Sequence, residues 1–204
     1  MTPTFAELGV PQDLITALAE QGIESPFAIQ TLAIGDAMAR RDVCGKAKTG
    51  SGKTLAFSLP AIAHTTRSQD GKPTTLMLTP TRELANQITG VVEPLANARE
   101  LRTIAVYGGT NIDKQIETIS SGIDIVIATP GRLIDLIERE AVDVALVERV
   151  VVDEADRMAD MGFLPQVEWI LRHIQVDHQT ICLLYTSDAA DDMQCVDLGG
   201  RRII

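Results

Sequence analysis

Strand-like and helix-like stretches alternate along most of this chain, and that alternation predicts an α/β domain with a mostly parallel sheet covered by helices on both faces. Composition agrees. Hydrophobic residues make up 45% of the sequence but aromatics only 3%, so the core is built from Ile, Leu, Val and Ala, which suits an α/β protein better than a β-sandwich. Length agrees too: 204 residues fit one domain, which buries roughly 70% of the surface that its unfolded form exposes.

Taken in order, Pro11 to Gly22 reads as a short amphipathic helix, with Pro in its first turn, Leu14, Ile15 and Leu18 on one face, and Gly22 as a left-handed cap. A second helix is expected from Ala28 to Ala39. Asp42 to Lys46 is extended, Lys53 to Thr65 helical, Thr74 to Thr79 extended and Arg82 to Asn97 helical. Arg102 to Tyr107 reads as strand, Ile112 to Ser121 as helix, Asp124 to Ala128 as strand, Arg132 to Glu140 as helix and Arg149 to Val152 as strand. In such sheets ligands bind beyond the carboxyl ends of the strands. Chemistry is therefore expected just after Ala47, Thr79, Tyr107, Ala128 and Val152.

The formal charge of −10 and the sequence pI near 4.7 argue against a protein that coats nucleic acid by bulk attraction. Any such contact must be local, and most of the acidic surface serves solubility. Cys44, Cys182 and Cys195 are too few and too widely spaced for a zinc site or a disulfide framework, and read as reduced thiols. Met1 to Val10 lacks the basic start and apolar run of a leader, and no window of 18 apolar residues occurs. The expectation is a soluble cytoplasmic protein with no membrane partner. His64, His173, His178 and Trp169 are scattered and read as packing or surface residues.

Two clusters carry chemistry. Ala47-Lys48-Thr49-Gly50-Ser51-Gly52-Lys53-Thr54 follows the first strand and opens an apolar helix, which is the context of a phosphate-binding loop. Gly50 and Gly52 let the backbone curl so that the N–H groups of Lys48 to Thr54 face a phosphate, and the helix beginning near Lys53 adds its positive dipole end. Lys53 would reach the terminal phosphates and the Thr54 hydroxyl would hold Mg²⁺. Ala47 stands where the motif usually opens with Gly. The second cluster, Asp153-Glu154-Ala155-Asp156, ends the run Val150-Val151-Val152 about a hundred residues later. The strand carries Asp153 to the sheet rim, where its carboxylate can bind the same Mg²⁺, and Glu154 can orient an attacking water and accept its proton. These two clusters alone also fit a stand-alone nucleotide-binding or kinase-like P-loop protein acting on a small molecule.

Across about residues 5 to 182 the chain resembles the DEAD-box RNA helicases. Gly22-Ile23-Glu24-Ser25-Pro26-Phe27-Ala28-Ile29-Gln30 is similar to that family's adenine-reading motif, with Phe5 seventeen residues upstream of its first glycine. The resemblance implies that Gln30 binds the adenine edge while Phe5 stacks on the ring. Read without it, Gln30 is equally a surface helix residue and Phe5 core filler. Pro80-Thr81-Arg82-Glu83-Leu84-Ala85 resembles the first RNA-contact motif, Gly108-Gly109 the paired glycines, and Thr129-Pro130-Gly131-Arg132 the second RNA-contact motif. Arg82 and Arg132 can neutralise phosphates, the Thr81 and Thr129 hydroxyls can add hydrogen bonds, and the glycines allow close backbone approach. Such contacts read backbone and 2′-hydroxyls, so single-stranded or short duplex RNA would be held with little regard to base sequence. Phe27 and Lys48 stand where the family often has Thr and Gln.

The resemblance implies a RecA-like P-loop NTPase fold over 1–182, with residues 1–40 forming the adenine-motif helices, ATP and Mg²⁺ as ligands, and Lys53, Asp153 and Glu154 as the catalytic groups. It fails at the end. Where the family has an apolar strand closing in Ser-Ala-Thr, this chain has Leu184-Tyr185-Thr186, and Ser187 to Ile204 shows no period, lacks a family match and resembles a translated sequencing adapter. Residues 183–204 are expected to be a non-native or disordered tail, with the family's second RecA-like domain, required for activity, absent. By analogy with GTPases the arginines of that domain are worth about 10³ to 10⁵ in rate, so the fragment is expected to bind Mg-ATP weakly and turn it over negligibly.

Overall fold

Runs such as Leu76-Met77-Leu78, Ile125 to Ala128 and Val150 to Val152 have no polar side to offer water, so each must lie between two covering layers. The structure, a computed structural model, describes residues 2–47, 50–68, 71–185 and 202–203. In it these runs are central strands with every residue buried. The strands β1 (Val43–Ala47), β2 (Thr75–Leu78), β3 (Thr103–Val106), β4 (Ile125–Ala128), β5 (Arg149–Val152), β6 (Gln179–Tyr185) and β7 (Arg202–Ile203) form one sheet in the order β3-β4-β2-β5-β6-β1-β7. Each pairing within it is parallel.

Because side chains alternate across a strand, the same strands feed two cores. Met77, Ile125, Ile127, Val151, Ile181 and Leu183 face one side. There they meet α1 (Gln12–Glu20), α2 (Ala28–Met38), α3 (Lys53–His64) and α4 (Arg82–Asn97) through Leu14, Ile34, Phe57 and Val92, among others. Leu76, Leu78, Val126, Ala128, Val150 and Val152 face the other side. Their partners include Ile119 of α5 (Ile112–Ser120), Leu133 and Leu136 of α6 (Pro130–Glu138), Met158 of α7 (Ala155–Asp160), and Val167 and Ile170 of α8 (Leu164–Arg172). The helix-covered parallel sheet is thus as the sequence predicts.

Element bounds depart from expectation by one or two residues, for local reasons. Helix α1 starts at Gln12 because Pro11 is its N-cap, and Gly22 does take the left-handed conformation, at φ +75°. Helix α6 starts at Pro130 instead of Arg132, since Pro is suited to the first helical position. Helices α7 and α8 had no counterpart in the sequence reading. Strand β6 runs to Tyr185 and Leu183 is buried, so ordered sheet continues past the boundary expected at 182. The rest of the expected tail lies outside the described residues, apart from 202–203.

At the amino edge of the sheet, the Asp124 side chain is fully buried and accepts from the N–H groups of Ser68 and Arg102 at 2.7 Å each and from Arg102 Nε and Nη2 at 3.1 Å each. Burial alone would raise its pKa. The Arg102 guanidinium and the two backbone N–H groups outweigh that and hold it below its ordinary value.

Candidate functional site

The carboxyl edge of the sheet divides into two halves. The strand order puts β3, β4 and β2 on one side and β5, β6 and β1 on the other. The phosphate-loop and acidic motifs follow β1 and β5; the three motifs expected to hold RNA follow β2, β3 and β4. The halves abut where the Asp153 N–H donates to the Leu78 carbonyl at 2.9 Å.

In the first half Gly50 and Gly52 take φ of +76° and +84°, which L side chains rarely adopt. Gly52 caps α3, so Lys53 and Thr54 sit in its first turn. Lys48 and Thr49 lie outside the described residues. Gln30, 1% exposed, is neither on the surface nor idle: its Nε2 donates to the Gly52 carbonyl at 3.0 Å and its Oε1 accepts from the Phe27 N–H at 2.8 Å. A Cβ at Gly52 would stand 2.5 Å from Gln30 Nε2 and 2.6 Å from the Phe27 ring. The adenine motif therefore braces the phosphate loop directly. Phe5 takes the core position that the sequence left open beside the stacking role. Its ring is 2% exposed within the core shared with Val10 and Leu14, leaving no face on which a base could stack in this conformation.

Asp153 is 6% exposed, and burial pushes its carboxyl up to about 6, with the neighbouring Glu154 and Asp156 charges adding to the rise. Lys53 and the Glu154 N–H, which donates to Asp153 Oδ1 at 3.1 Å, pull it back. Lys53 can act on Asp153 only if the two clusters, far apart in sequence, meet at one place. Glu154 is buried and left-handed at φ +51°, a conformation that costs about 1–2 kcal/mol. Its Oε2 is 3.1 Å from Arg157 Nη1. Among the described residues no group of three His, Cys, Asp or Glu forms a metal cage. Thr54 and Asp153 would instead suit a cation that also takes phosphate oxygens, as Mg²⁺ does.

In the second half, a cavity of about 560 Å³ is lined by Pro80, Thr81, Arg82, Gly108, Thr129, Pro130, Gly131 and Arg132. Three separate motifs thus converge. Gly109 is outside that lining and takes φ +84° behind Arg82. Thr81 caps α4 by accepting from the Leu84 N–H, whereas the Thr129 hydroxyl takes no part in capping α6. Arg132 donates to the Thr110 carbonyl at 3.3 Å and to Gln115 Oε1 at 2.8 Å, so it is held by neutral acceptors and its charge remains available. Arg82 is paired with Glu83 at 2.7 Å on the surface. Tyr107, Phe163 and Gln166 also line the cavity and were not anticipated. For Phe163 and Gln166 the missing signal was α8 itself. A second cavity, of about 420 Å³, lies at the amino edge between Lys72, Asp143 and His173 and carries none of these motifs.

Residues 27–189 match the family model for the DEAD/DEAH box helicase. The chain belongs to that family. It is 45% identical over 182 residues to the ATP-dependent RNA helicase dbp2 of Emericella nidulans, covering 87% of this chain and 32% of that protein. It is 41% identical over 186 residues to RNA helicase CrhR of Synechocystis, covering 91% of this chain and 37% of that one. A DEAD box protein from the hyperthermophile Methanococcus jannaschii shares its fold at a TM-score of 0.84 and 34% identity, over 90% of this chain and 50% of the other. The yeast DEAD-box splicing factor Prp28 does so at 0.79 and 34%, over 87% and 45%. The chain thus spans about a third of the length of these curated relatives. Membership of the helicase family, and the likeness to the N-terminal part of its RNA helicases, set aside the kinase-like alternative.

Proposed function

We propose that this chain is the ATP- and RNA-binding N-terminal domain of a cytoplasmic ATP-dependent RNA helicase. The observation that carries the reading is that α3, which Lys53 opens, packs against β5, which Asp153 follows, on one half of the carboxyl edge and directly beside a cavity lined by the three motifs expected to hold RNA. Lys53 and the N–H groups of the phosphate loop hold the terminal phosphates, and Gln30, already bonded to Gly52, links recognition of adenine to the position of that loop. Thr54 and Asp153 fit Mg²⁺, which when bound would neutralise charge on the phosphates. Glu154 orients the water that attacks and accepts its proton.

In the adjoining cavity Arg82 and Arg132 face successive phosphates of single-stranded or short duplex RNA, and contacts of that kind tolerate any base sequence. Steady ATP hydrolysis, and the separation of short duplexes that it drives, are proposed for a longer protein and not for these 204 residues alone. The precedent is the arginine finger of GTPases, worth about 10³ to 10⁵ in rate. Titration of a non-hydrolysable ATP analogue with and without single-stranded RNA tests the reading. Each ligand is expected to tighten the other; indifference of nucleotide affinity to RNA would refute it.

A further inference from the structure

Burying a guanidinium is costly unless its N–H groups find acceptors. Arg149, at the amino end of β5, is 4% exposed. Its Nη1 donates to the Glu148 carbonyl at 2.7 Å and lies 3.4 Å from the Glu148 carboxylate. Among the described residues its Nε and Nη2, both buried, have no acceptor. These two nitrogens carry the parallel N–H pair along one edge of the guanidinium, the edge that an oxyanion takes with two oxygens at once.

Other polar groups share this end of the sheet. In the parallel register Arg149 is flanked by Thr75 on β2 and Gln179 on β6, so the three side chains share a face. The Thr75 hydroxyl is engaged with Thr65 at 2.7 Å. Gln179 Nε2 donates to the Ala37 and Arg41 carbonyls at 2.8 and 2.7 Å, which fixes the amide and leaves its buried Oε1 with no donor among the described residues. Just beyond the end of α4, Arg99 Nε is 3.6 Å from Asp13, while its Nη1 is also buried and has no acceptor among the described residues. His64, at the end of α3, is held below its ordinary pKa first by burial and then by the charges of Arg149, Arg40 and Arg99, against a hydrogen bond to the Met38 carbonyl. Three arginines that act on one imidazole lie near it. In a chain of net charge −10, this is a local concentration of positive charge at the amino edge of the sheet, opposite the edge that bears the phosphate loop.

We infer that Arg149, with Arg99 and Gln179, forms a second anion site that takes inorganic hydrogen phosphate. Two phosphate oxygens accept from the Arg149 edge, and Arg99 Nη1 supplies a further donor. The one hydroxyl of hydrogen phosphate donates to Gln179 Oε1, a bond that neither sulfate nor acetate can offer. Arg149 and Gln179 are only 4% and 6% exposed, too little for a polymer backbone to reach, so the ligand is the free ion.

The test is thermal unfolding of the 204-residue chain carrying Lys53→Ala, which removes the phosphate loop's own response, in phosphate, sulfate or acetate at matched ionic strength. At a hundredfold excess of phosphate over Kd the Tm should rise by about 5–10 °C, with smaller rises in sulfate and acetate. Arg149→Met should abolish the rise, and in phosphate-free buffer this variant should be no less stable than its parent, because an uncompensated buried charge has gone. Should that variant fail to fold, Arg149→Lys, which keeps the charge but not the paired N–H edge, should still lose the response. The His64 ring resonances give a second readout, since an arriving anion offsets the arginines and raises the imidazole pKa. An unchanged response in the Arg149 variants, or none in the parent, would overturn the site; equal responses to sulfate and phosphate would overturn the role of Gln179.

Discussion

Gly52→Ala tests how the adenine motif supports the phosphate loop, and its cost can be worked out part by part. The added Cβ has to adopt φ +84°, which costs about 1–2 kcal/mol for a residue other than glycine. It would also lie 2.5 Å from Gln30 Nε2 and 2.6 Å from the Phe27 ring, so the side chain of Gln30 must leave. Losing its 3.0 Å bond to the Gly52 carbonyl, with a buried amide left unsatisfied, costs about 1–3 kcal/mol more. The sum is about 3 kcal/mol, or about 6–12 °C in Tm for a domain of this size.

Gly50→Ala is the control. Its φ of +76° is equally unsuited to alanine, but a Cβ there meets nothing within 4 Å, so only the backbone cost of about 1–2 kcal/mol applies. Thermal unfolding of both variants without nucleotide separates strain from collision. If the two lower the Tm equally, the Gln30–Gly52 contact does not hold the loop and the argument fails.

Three further outcomes are expected. The folded pKa of Asp124 is depressed below its ordinary 3.8, so its contribution to stability is complete above that value and is lost as the pH falls through the folded one; urea midpoints should drop on acidification, and Asp124→Asn should lower them at neutral pH and flatten that acid limb. Asp153 has the opposite sign, being raised from 3.8 to about 6. Its contribution is complete below 3.8 and lost as the pH rises through about 6, so Asp153→Asn should stabilise the nucleotide-free chain at pH 8 by up to about 3 kcal/mol, leave it unchanged near pH 3, and abolish Mg-ATP binding in a calorimetric titration. Phe57, fully buried between α3 and the sheet, should cost about 3–5 kcal/mol on truncation to alanine, measured as a fall in the urea midpoint with nucleotide binding intact in the folded fraction.

The sheet was legible because its central strands are too apolar to be anything else, and α4 has the bounds read from the sequence, its start fixed in the structure by the Thr81 hydroxyl accepting from the Leu84 N–H. Helix α7 escaped notice for a physical reason: its six residues are too few to show a period, and they follow directly on the acidic pair that drew a chemical reading. The partnership of Gln30 with Gly52 spans 22 residues of chain and exists only once α2 packs against α3. No local pattern encodes it. The burial of Phe5 was not legible because a single aromatic before a helix carries no sign of which way it faces, and here the turn of 2–10, tied by Thr4 to Glu7, turns it inward.

The strand order explains how one sheet can serve two ligands. Thr81 and Asp153 both lie just beyond the carboxyl ends of β2 and β5, adjacent strands whose last register pair is Leu78 with Val152. The Thr79 N–H donates to Ala128 and the Asp153 N–H to Leu78, so the loops of the proposed RNA cavity and of the proposed magnesium site hang from one continuous ladder. A displacement of Asp153 on loading nucleotide must be taken up by the β2 end or resisted by it. In a close-packed interior the neighbours cannot simply absorb it. Coupling between the two ligands therefore requires no relay across the domain, only the seam between β2 and β5. Stabilising that seam at its rim, where the Thr79 hydroxyl is buried without a partner among the described residues and an isosteric methyl would remove that unsatisfied group, should change the mutual tightening of nucleotide and RNA more than it changes the affinity for either alone. Thr79→Val, titrated with each ligand singly and together, distinguishes the two effects, and a variant that weakens both ligands singly while leaving their mutual tightening intact would show that the seam does not carry the coupling.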